Sequence, residues 1–484
     1  MMWFNIDLII VVLFLIVNFA VGFGIRRKRS VDDFKTYSIG NFKDLSVLFL
    51  TASSASYIIS GGIFINLLQQ SYNTGITYVL KNSVFQPLAY ILVAFFVFPL
   101  HKNWNKGNLT LNEWIDEKFH SSFLRALLGL SEFLLFLGIL VITFKAFGTI
   151  AKALFNLPPQ YEQLCVIGFA IFLSLYTAKG GFLAITLTDI LQFWVFIIAF
   201  VCLVGFVAYK SHFFAGVWDK GIVDNPRMNL SPCFKDYSTT MFTLSVWIQA
   251  ALPKFCGARY QRIMMSNNSK KVKKSILYSV GIVVFFMISC ICISLLIYSQ
   301  NPNLTVSEIL PYFVNNYCPT GLKGLLGAGL LAMSISTTEA MLCSNSVVLV
   351  NDIVPFFYKM VSKKKYTPSI FMARVSLILL CCLSVFISFC MKDMFTILMV
   401  FNNFYCPVAI IPSVVLVLGF NVKKTSVISG IFCGILATIL DFIITKNLSS
   451  CFFGITANLV GLVLTELILR MRNRNNNIAE VKEK

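Results

Sequence analysis

The sequence predicts an all-α protein that crosses a membrane many times. Of its 484 residues, 57% are apolar and only 13% are charged, and the mean hydropathy is +0.78. These values exclude a soluble globular chain. Runs of roughly 17–25 apolar residues recur with short polar breaks, which is the length that a helix needs to cross about 30 Å of hydrocarbon. No polar stretch is long enough for a soluble domain, so we predict about thirteen transmembrane helices.

The predicted spans follow one another along the chain. The first could be taken for a secretory signal, but its apolar run is too long and its basic residues follow rather than precede it. We therefore predict a membrane span there as well. In order, the spans are residues 5–25, 46–70, 76–100, 122–147, 161–177, 183–209, 239–261, 275–299, 321–350, 368–391, 394–419, 426–445 and 451–471.

Basic residues are concentrated in the loops on one side of the predicted helices. The net charge is +19, and basic clusters at residues 26–29, 270–274, 363–365 and 423–424 each follow an odd-numbered span. By the positive-inside rule these loops are cytoplasmic. We therefore expect a multi-pass protein of the cytoplasmic (inner) membrane, with its N-terminus outside and its C-terminus in the cytoplasm. Nucleic-acid binding is the rival explanation, but no basic stretch is interleaved with aromatic residues on a soluble module. We expect the lipid bilayer as a partner, and no nucleic acid.

The residues of enzyme chemistry form no recognisable motif. The 14 cysteines show no Cys-x-x-Cys spacing, and most lie in apolar spans, where cysteine acts as a small hydrophobic residue. The 3 histidines form no ligand cluster, and neither a catalytic triad nor a phosphate-binding glycine loop is readable. We therefore predict that the protein is not an enzyme. Cys233 and Cys318 fall in predicted external loops and could pair in an oxidising compartment, which spacing alone does not establish.

Small polar residues and glycines interrupt the second span. Residues 51–60 include several serines, and Gly61 and Gly62 follow them in the middle of a hydrophobic helix. A break there would free backbone carbonyls, which lipid tolerates only against protein, water or an ion. Secondary transporters build substrate and cation sites on such broken helices. The alternative is close packing by small residues, with the serines bonded to their own helix.

The seventh span contains a second candidate break, five spans later. Pro253 removes one helical hydrogen bond and Gly257 follows it, so a kink or an unwound turn is expected. A separation of five spans is expected for the first helices of two inverted five-helix repeats, whose paired breaks mark the binding site. No residue-level repeat is readable, so this symmetry is inferred from the placement of the breaks.

The ninth span carries a strip of hydroxyl groups that ends on a carboxylic acid. Ser334, Ser336, Thr337 and Thr338 precede Glu339 within an otherwise apolar helix. An ionisable side chain in hydrocarbon is costly unless it faces a cavity, an ion or a partner, so its default interpretation is functional. We interpret the strip as a site for a small cation.

Four segments resemble motifs of the sodium:solute symporter family, whose members carry sugars, proline, pantothenate, sialic acid and related solutes. Residues 176–192 are similar to its signature of a glycine pair, threonine-aspartate and glutamine, and residues 261–274 to the loop after its proline. Residues 321–353 resemble its most recognisable helix, and residues 110–119 its first large cytoplasmic loop. The resemblance covers most of the chain, and the four motifs are specific jointly rather than singly.

The resemblance implies a LeuT-type core of ten helices in two inverted repeats, formed by the second to eleventh spans. It divides the chain into a first span and loop (residues 1–45), the transport core (46–420) and two accessory spans with a tail (421–484). It also implies sodium-coupled symport of a small organic solute by alternating access, with Na⁺ as the coupling ion. Carried onto matching positions, the sodium ligands are the carbonyls of Ser56, Ile59 and Met333 and the hydroxyls of Ser336 and Thr337. Neutral oxygens suit a hard cation that must also be released.

Two carboxylates are linked to the cation in this interpretation. Asp189 lies at the family's threonine-aspartate position, and its alternative role is a helix-end acid paired with Lys179. Glu339 departs from the family pattern, since relatives usually have a serine or a small residue there. It could join Asp189 in a second cation site, or be protonated and exchange protons during transport. A third interpretation is a salt bridge to Lys145, Lys254 or Arg259.

The solute pocket is expected between the broken second and seventh spans. The candidate solute-binding residues are Gln69, Trp247, Gln249 and Lys254. Trp247 could equally be a packing or interfacial tryptophan. Lys254 would favour an acidic solute if it faces the pocket, and would otherwise bind carbonyls that the kink frees.

Three other functions remain open. A proton-coupled carrier of the same fold would draw its driving force from Glu339 and Asp189 and would transport without sodium. A transporter-like sensor would need an attached signalling domain. A channel would conduct ions far faster than a carrier turns over.

Overall fold

The computed structural model of this chain describes residues 6–28, 33–40, 45–104, 108–155, 158–362, 366–391, 393–445 and 451–483. Within those ranges the regular elements are helices, which satisfy their own backbone polar groups in lipid. They are α1 (Ile6–Lys28), α2 (Phe34–Ile39), α3 (Val47–Ile58), α4 (Gly61–Thr74), α5 (Ile76–Leu80), α6 (Gln86–Asn103), α7 (Leu111–Phe119), α8 (Ser122–Phe155), α9 (Pro159–Lys210), α10 (Tyr237–Ala251), α11 (Gly257–Ile263), α12 (Ser269–Gln300), α13 (Ile309–Tyr317), α14 (Leu322–Val348), α15 (Val354–Val361), α16 (Ile370–Cys390), α17 (Met394–Leu418), α18 (Lys424–Thr445) and α19 (Cys451–Glu483). Two π-helical turns, Lys81–Phe85 and Leu349–Ile353, join α5 to α6 and α14 to α15.

The predicted spans coincide with helices, but not all of them are long. Of the described residues, nine helical segments are long and apolar enough to cross a membrane, and ten if the bent pair α3 and α4 counts as one span. The remaining predicted spans fall on the shorter apolar segments Ile6–Gly22 and Gln160–Leu175 and on the pair α10 and α11. The count of thirteen therefore stays a prediction, because three of the segments are short or broken.

The ninth predicted span is α14, which lies at the centre of the bundle. Every residue from Leu326 to Val348 is buried, chiefly against α9, α8 and α1. Glycines permit this close approach: a Cβ on Gly324 would lie 2.5 Å from the Asp7 Cα, and one on Gly329 would lie 2.7 Å from the Ala199 Cβ. Because neighbouring helices enclose α14, its hydroxyl strip faces protein rather than lipid.

The predicted break in the second span is confirmed. α3 ends at Ile58 and α4 begins at Gly61, and the two helices are bent by 55°. Ile59 and Ser60 between them are extended, with ψ of 127° and 162°. The Ser60 hydroxyl starts the new helix by accepting a hydrogen bond from the Ile63 N–H at 3.1 Å.

The predicted break in the seventh span is also confirmed. α10 ends at Ala251, Leu252 is extended with ψ of 138°, and α11 begins at Gly257. Pro253 lies in the non-helical segment, where its missing N–H costs no ladder bond. The two broken helices are the first members of the two predicted five-helix repeats.

The fifth and sixth predicted spans together form α9, which is interrupted at Gly181. Gly181 has φ of 59° and ψ of −175°, a conformation open to glycine and strained for other residues. A Cβ at this position would also lie 3.0 Å from the Tyr37 ring. The chain therefore passes from one apolar segment to the next through a single glycine.

Some sequence predictions concern loops. Arg29 and the basic residues 363–365 lie outside the described residues. Cys233 and Cys318 are both buried free thiols, and Cys233 Sγ lies 3.1 Å from Thr77 Oγ1. The two cysteines therefore do not pair in this structure.

Candidate functional site

The break between α3 and α4 brings two backbone carbonyls against α14. The last ladder bond of α3 comes from the Ile59 N–H, and the first of α4 ends on the Ser60 carbonyl, so the carbonyls of residues 56–59 lie between the two ladders. Thr337 on α14 reaches them. Its Oγ1 lies 3.3 Å from the Ser56 carbonyl oxygen and 3.2 Å from that of Ile59.

The other predicted sodium ligands lie on the same part of α14. Met333, Ser336 and Thr337 are spaced i, i+3 and i+4, which puts them on one helix face. All three are buried. The structure thus brings three of the five predicted ligands, Ser56, Ile59 and Thr337, into direct contact. It places the other two, Met333 and Ser336, on the same face of α14 as Thr337.

Asp189 on α9 is the centre of a buried network beside this junction. Ser336 Oγ donates to its Oδ1 at 2.5 Å, and Ser53 Oγ and Arg262 Nη2 lie 3.0 and 3.1 Å from its Oδ2. Arg262 also donates through Nε to the Ser53 carbonyl at 2.8 Å. The network therefore ties α3, α9, α11 and α14 together. The partner of Asp189 is Arg262, while the side chain of Lys179 lies outside the described residues.

Glu339 is fully buried on α14, one turn beyond Ser336. The three cations considered as its partners each donate to another group: Lys145 to the Met391 carbonyl, Lys254 to Asn402 Oδ1 and Arg259 to the Lys254 carbonyl. A carboxyl buried at this depth in a membrane helix remains a functional candidate.

A cavity of about 210 Å³ lies between the two broken helices. The α3–α4 junction forms one part of its wall, and Thr337 lines it there. The α10–α11 break forms another part, through Gln249 and Lys254. Two of the four predicted solute-binding residues therefore line one cavity, next to the predicted sodium ligands.

The other two predicted solute-binding residues lie elsewhere. Gln69 is near the end of α4 and donates to the Val306 carbonyl at 3.0 Å, so it holds a loop. Trp247 stacks on Phe85 with ring centroids 5.0 Å apart and donates through Nε1 to the Thr77 carbonyl at 2.9 Å. Neither lines the cavity as the described residues form it. Trp247 therefore matches the packing interpretation.

Sequence reasoning missed other residues of the cavity wall. Lys81, Asn82 and Asn402 line it, and so does Arg259. For Lys81 a signal existed, since it is a lysine inside the apolar run 76–100, and an ionisable residue in a membrane span is a functional candidate. Asn402 lies on α17, far along the chain, and only the fold brings it here.

A second buried network anchors the short helix α7. Asn112 on α7 donates to Asp352 Oδ2 at 3.1 Å and to Glu132 Oε2 at 3.0 Å. Glu132 in turn accepts the N–H of Gly257, the first residue of α11. A carboxylate at a helix N-terminus is favourable. Two of the motif segments, residues 110–119 and 321–353, therefore meet at the second break.

The chain matches the model of the sodium:solute symporter family over residues 39–437. It is 25% identical over 370 residues to the sodium/pantothenate symporter of Haemophilus influenzae, and the match covers 73% of each chain. It is 24% identical over 363 residues to the sodium/sialic acid symporter NanT of Aliivibrio fischeri, covering 70% of this chain and 66% of that one.

Solved transporters share the fold. A substrate-bound, outward-open Na⁺-coupled sialic acid symporter matches with a TM-score of 0.75 at 16% identity, covering 96% of this chain and 98% of that chain. Mhp1, a nucleobase-cation-symport-1 family transporter, matches with a TM-score of 0.58 at 13% identity, covering 91% and 94%. The core therefore has the LeuT-type fold. The chain belongs to the sodium:solute symporter family: it is a multi-pass inner-membrane protein, a transporter rather than an enzyme, that couples the movement of a small solute to sodium.

Proposed function

We propose that sodium binds at the junction of α3, α4 and α14, held by the carbonyls of Ser56, Ile59 and Met333 and the hydroxyls of Ser336 and Thr337. The observation that carries this proposal is the pair of contacts from Thr337 Oγ1 to the two carbonyls at the break. A hydroxyl oxygen has two lone pairs that can turn toward a cation. A sodium ion entering the junction would therefore exchange these hydrogen bonds for ligation by oxygen.

Asp189 acts as the cation-linked carboxylate beside this site. Its Oδ1 accepts a hydrogen bond from the Ser336 hydroxyl, which leaves the lone pairs of the serine oxygen to face sodium. Its negative charge attracts the ion at short range, and Arg262 at 3.1 Å balances that charge when sodium leaves. The site can then release its ion without leaving a bare buried carboxylate.

The solute binds in the cavity between the two breaks, next to Gln249 and Lys254. Thr337 supports the coupling because it belongs both to the sodium junction and to the cavity wall. Sodium that draws α3 and α4 against α14 would shape the solute site at the same time. Two ligands that favour the same conformation raise each other's affinity by the same factor. This mutual increase in affinity makes sodium and the solute bind, and so cross the membrane, together.

Transport then proceeds by alternating access. The basic loops support an orientation with the N-terminus outside and the C-terminus in the cytoplasm. In that orientation α11, which precedes the basic residues 270–274, lies toward the cytoplasm. Opening to that side would part α3 and α11 from α9 and α14, break the contacts of Asp189, and dismantle the sodium site. Residues 46–420 would form the moving core, with residues 1–45 and 421–484 flanking it.

The sodium site is tested by thermal stability of the detergent-purified protein in NaCl, KCl and choline chloride. Sodium binds only the folded form, so it raises the unfolding temperature by mass action. Removing a ligand hydroxyl in Thr337→Val should weaken sodium binding, so the half-effective sodium concentration should rise about 10-fold to 100-fold, as for hydrogen bonds to charged groups. Thr338→Val is the matched control, because Thr338 Oγ1 bonds to the Ser334 carbonyl of its own helix at 2.6 Å.

The outcomes separate the sites. Equal sodium affinity in Thr337→Val and in the wild type would overturn the ligand assignment. Ser336→Ala should weaken sodium binding. It should also disturb Asp189, because it removes the hydrogen bond of 2.5 Å from Ser336 Oγ to Asp189 Oδ1.

Glu339 supports a further role for either a proton or a second cation alongside sodium. It is fully buried within the hydroxyl strip, one turn from Ser336, so it can join Asp189 at a second cation position or carry a proton. If it carries a proton through the cycle, Glu339→Gln should remove the pH dependence of uptake while sodium dependence persists. If it holds a second cation, the same variant should lower the sodium Hill coefficient and leave the pH profile unchanged.

A further inference from the structure

We propose that the transported solute is a small organic anion, and that Lys81, Lys254 and Arg259 hold its carboxylate. This inference rests on the proposal that the cavity between the two breaks is the solute site. It adds the chemical class of the solute, which the fold does not determine.

Three cationic side chains line this cavity. Lys81 is 7% exposed, and its ammonium lies 4.1 Å from the centroid of the Tyr78 ring. Lys254 Nζ donates to Asn402 Oδ1 at 2.9 Å, and Arg259 Nη1 donates to the Lys254 carbonyl at 2.8 Å. Among the described residues that form the wall, no aspartate or glutamate is present. The cavity is therefore positive.

Such an arrangement is costly inside a membrane protein. Intramembrane cations usually pair with acids, whereas Lys81 and Lys254 line the same cavity as a second and third basic group beside Arg259. Two acids on the helices around the cavity, Glu132 on α8 and Asp393 at the start of α17, have other contacts. Glu132 accepts the Gly257 N–H, and Asp393 caps α17 by accepting the Thr396 N–H at 2.7 Å. A bound anion would supply the compensation that the wall itself lacks.

The local backbone presents Lys81 to the cavity. Lys81 is the first residue of the π-helical turn Lys81–Phe85, near the start of the apolar segment Ile76–Asn103. A π-turn inserts an extra residue into a helix and re-aims the side chains around it, and such turns are frequent at functional sites. Here Lys81, Asn82 and Gln86 all line the cavity. The distortion is what a ligand-binding role for this turn would require.

Charge also explains how an anion would be coupled to sodium. The proposed sodium ligands are neutral, and Arg262 already balances Asp189, so each sodium adds positive charge beside a cavity that is already positive. A neutral solute would leave this charge uncompensated. An anionic solute would attract sodium and be attracted by it, which makes each ligand raise the affinity for the other.

The cavity limits the size and shape of the anion. Its volume of about 210 Å³ is below the roughly 300–1,000 Å³ of sites for drug-sized ligands. Apolar side chains such as Leu67, Leu135 and Leu398 form much of the remaining wall. Gln249 and Asn402 add amide groups. These features fit a carboxylate with a short apolar or hydroxylated body.

The test compares acids with their neutral counterparts on the purified full-length protein. Thermal unfolding is followed in saturating NaCl with pantothenate and panthenol, N-acetylneuraminate and its methyl ester, lactate and lactamide, succinate and succinamide, and glucose. We expect at least one acid to raise the unfolding temperature in NaCl but not in KCl, with its neutral counterpart inactive. Lys81→Met and Lys254→Met should each weaken the binding of that acid at least tenfold, since a charged partner is lost. Lys145→Met, a membrane lysine bonded to the Met391 carbonyl outside the cavity, should not.

Stabilisation by neutral solutes equal to that by their acids would overturn the inference, as would a complete lack of response to every acid. The wild-type comparison decides this even if a lysine variant fails to fold. The sodium effect without solute keeps the two proposals apart. If sodium stabilises the protein while the acids do not, only the anion inference fails. If sodium itself has no effect, the proposed sodium site fails.

Discussion

Arg262 and Asp189 form an enclosed ion pair, with side chains that are 3% and 0% exposed. A buried pair gains little over apolar residues of the same size, because both charges lose their hydration. Losing one partner is different, since it strands a charge in the protein interior. The pair therefore fixes the relative position of α9 and α11 more than it stabilises the fold. That is the property that a gate needs.

Removing one partner of this pair should be strongly destabilising. Asp189→Asn leaves Arg262 uncompensated and should cost about 3–5 kcal/mol of stability. Arg262→Gln alone leaves the buried Asp189 charge uncompensated. Arg262→Gln added to Asp189→Asn should cost much less stability, because that carboxylate is already gone. Thermal unfolding of the two single variants and the double variant measures this coupling.

A pair with an exposed arginine, Arg470–Glu466, is the control for that cycle. Its distance of 2.9 Å is even shorter, but the Arg470 side chain is 63% exposed. Arg470→Gln should therefore cost less than about 1 kcal/mol. Strictly additive effects of Asp189→Asn and Arg262→Gln would contradict the account of the buried pair.

Single residues were predictable from sequence only where a local pattern identified them. Ser56, Ile59 and Thr337 follow from a broken helix and a hydroxyl strip matched to a family, and the structure brings them together. Arg262 as the partner of Asp189 could not be read from the chain, because the two are separated by 73 residues and meet only through the fold. Trp247 looked functional because aromatic residues suit both pockets and packing.

At the scale of elements, the broken helix α3–α4 depends on its glycines. A Cβ on Gly61 would lie 2.5 Å from Ser334 Oγ and 2.8 Å from Ile150 Cδ1. The glycine therefore lets the start of α4 lie against α14, close to Thr337. Both breaks were predictable, because glycine pairs and proline act locally. The 55° bend between α3 and α4 was not, because packing against α14 and α8 determines it.

Filling the space at Gly61 should separate α4 from α14. Gly61→Ala should cost about 1–3 kcal/mol by overpacking and should weaken sodium binding, since the junction opens. Gly281→Ala on α12 is the control: nothing lies within 4 Å of its Cβ, so it should instead stabilise its helix by about 0.5–1 kcal/mol. Unfolding temperatures with and without NaCl measure both effects. Unchanged sodium affinity in Gly61→Ala would argue against a site at this junction.

At the scale of the whole molecule, hydropathy alone predicted the fold class. Apolar runs of membrane length admit few structures other than a helical bundle. The number of spans stays a prediction, since the predicted spans 5–25 and 161–177 fall on the apolar segments Ile6–Gly22 and Gln160–Leu175, which are short for a membrane crossing. The solute cavity was not predictable as a whole, because its walls come from helices that are distant in the chain.

The orientation of the molecule is open to a direct test. The cluster at residues 270–274 lies at the start of α12, and the positive-inside rule places it in the cytoplasm. Trypsin should therefore cut there in inside-out membrane vesicles and leave this site intact in right-side-out vesicles. Mapping the fragments by mass spectrometry would show the cut. Cleavage at residues 270–274 from the outer face would contradict the predicted orientation and indicate the opposite one.

The central claim is that sodium is bound where the broken helix α3–α4 meets α14. The most direct measurement is equilibrium binding of ²²Na⁺ to the purified protein, comparing the wild type with Thr337→Val and Thr338→Val. The account predicts saturable binding that Thr337→Val weakens about 10-fold to 100-fold and Thr338→Val leaves unchanged. Equal affinity in all three proteins would contradict it and would move the sodium site away from this junction.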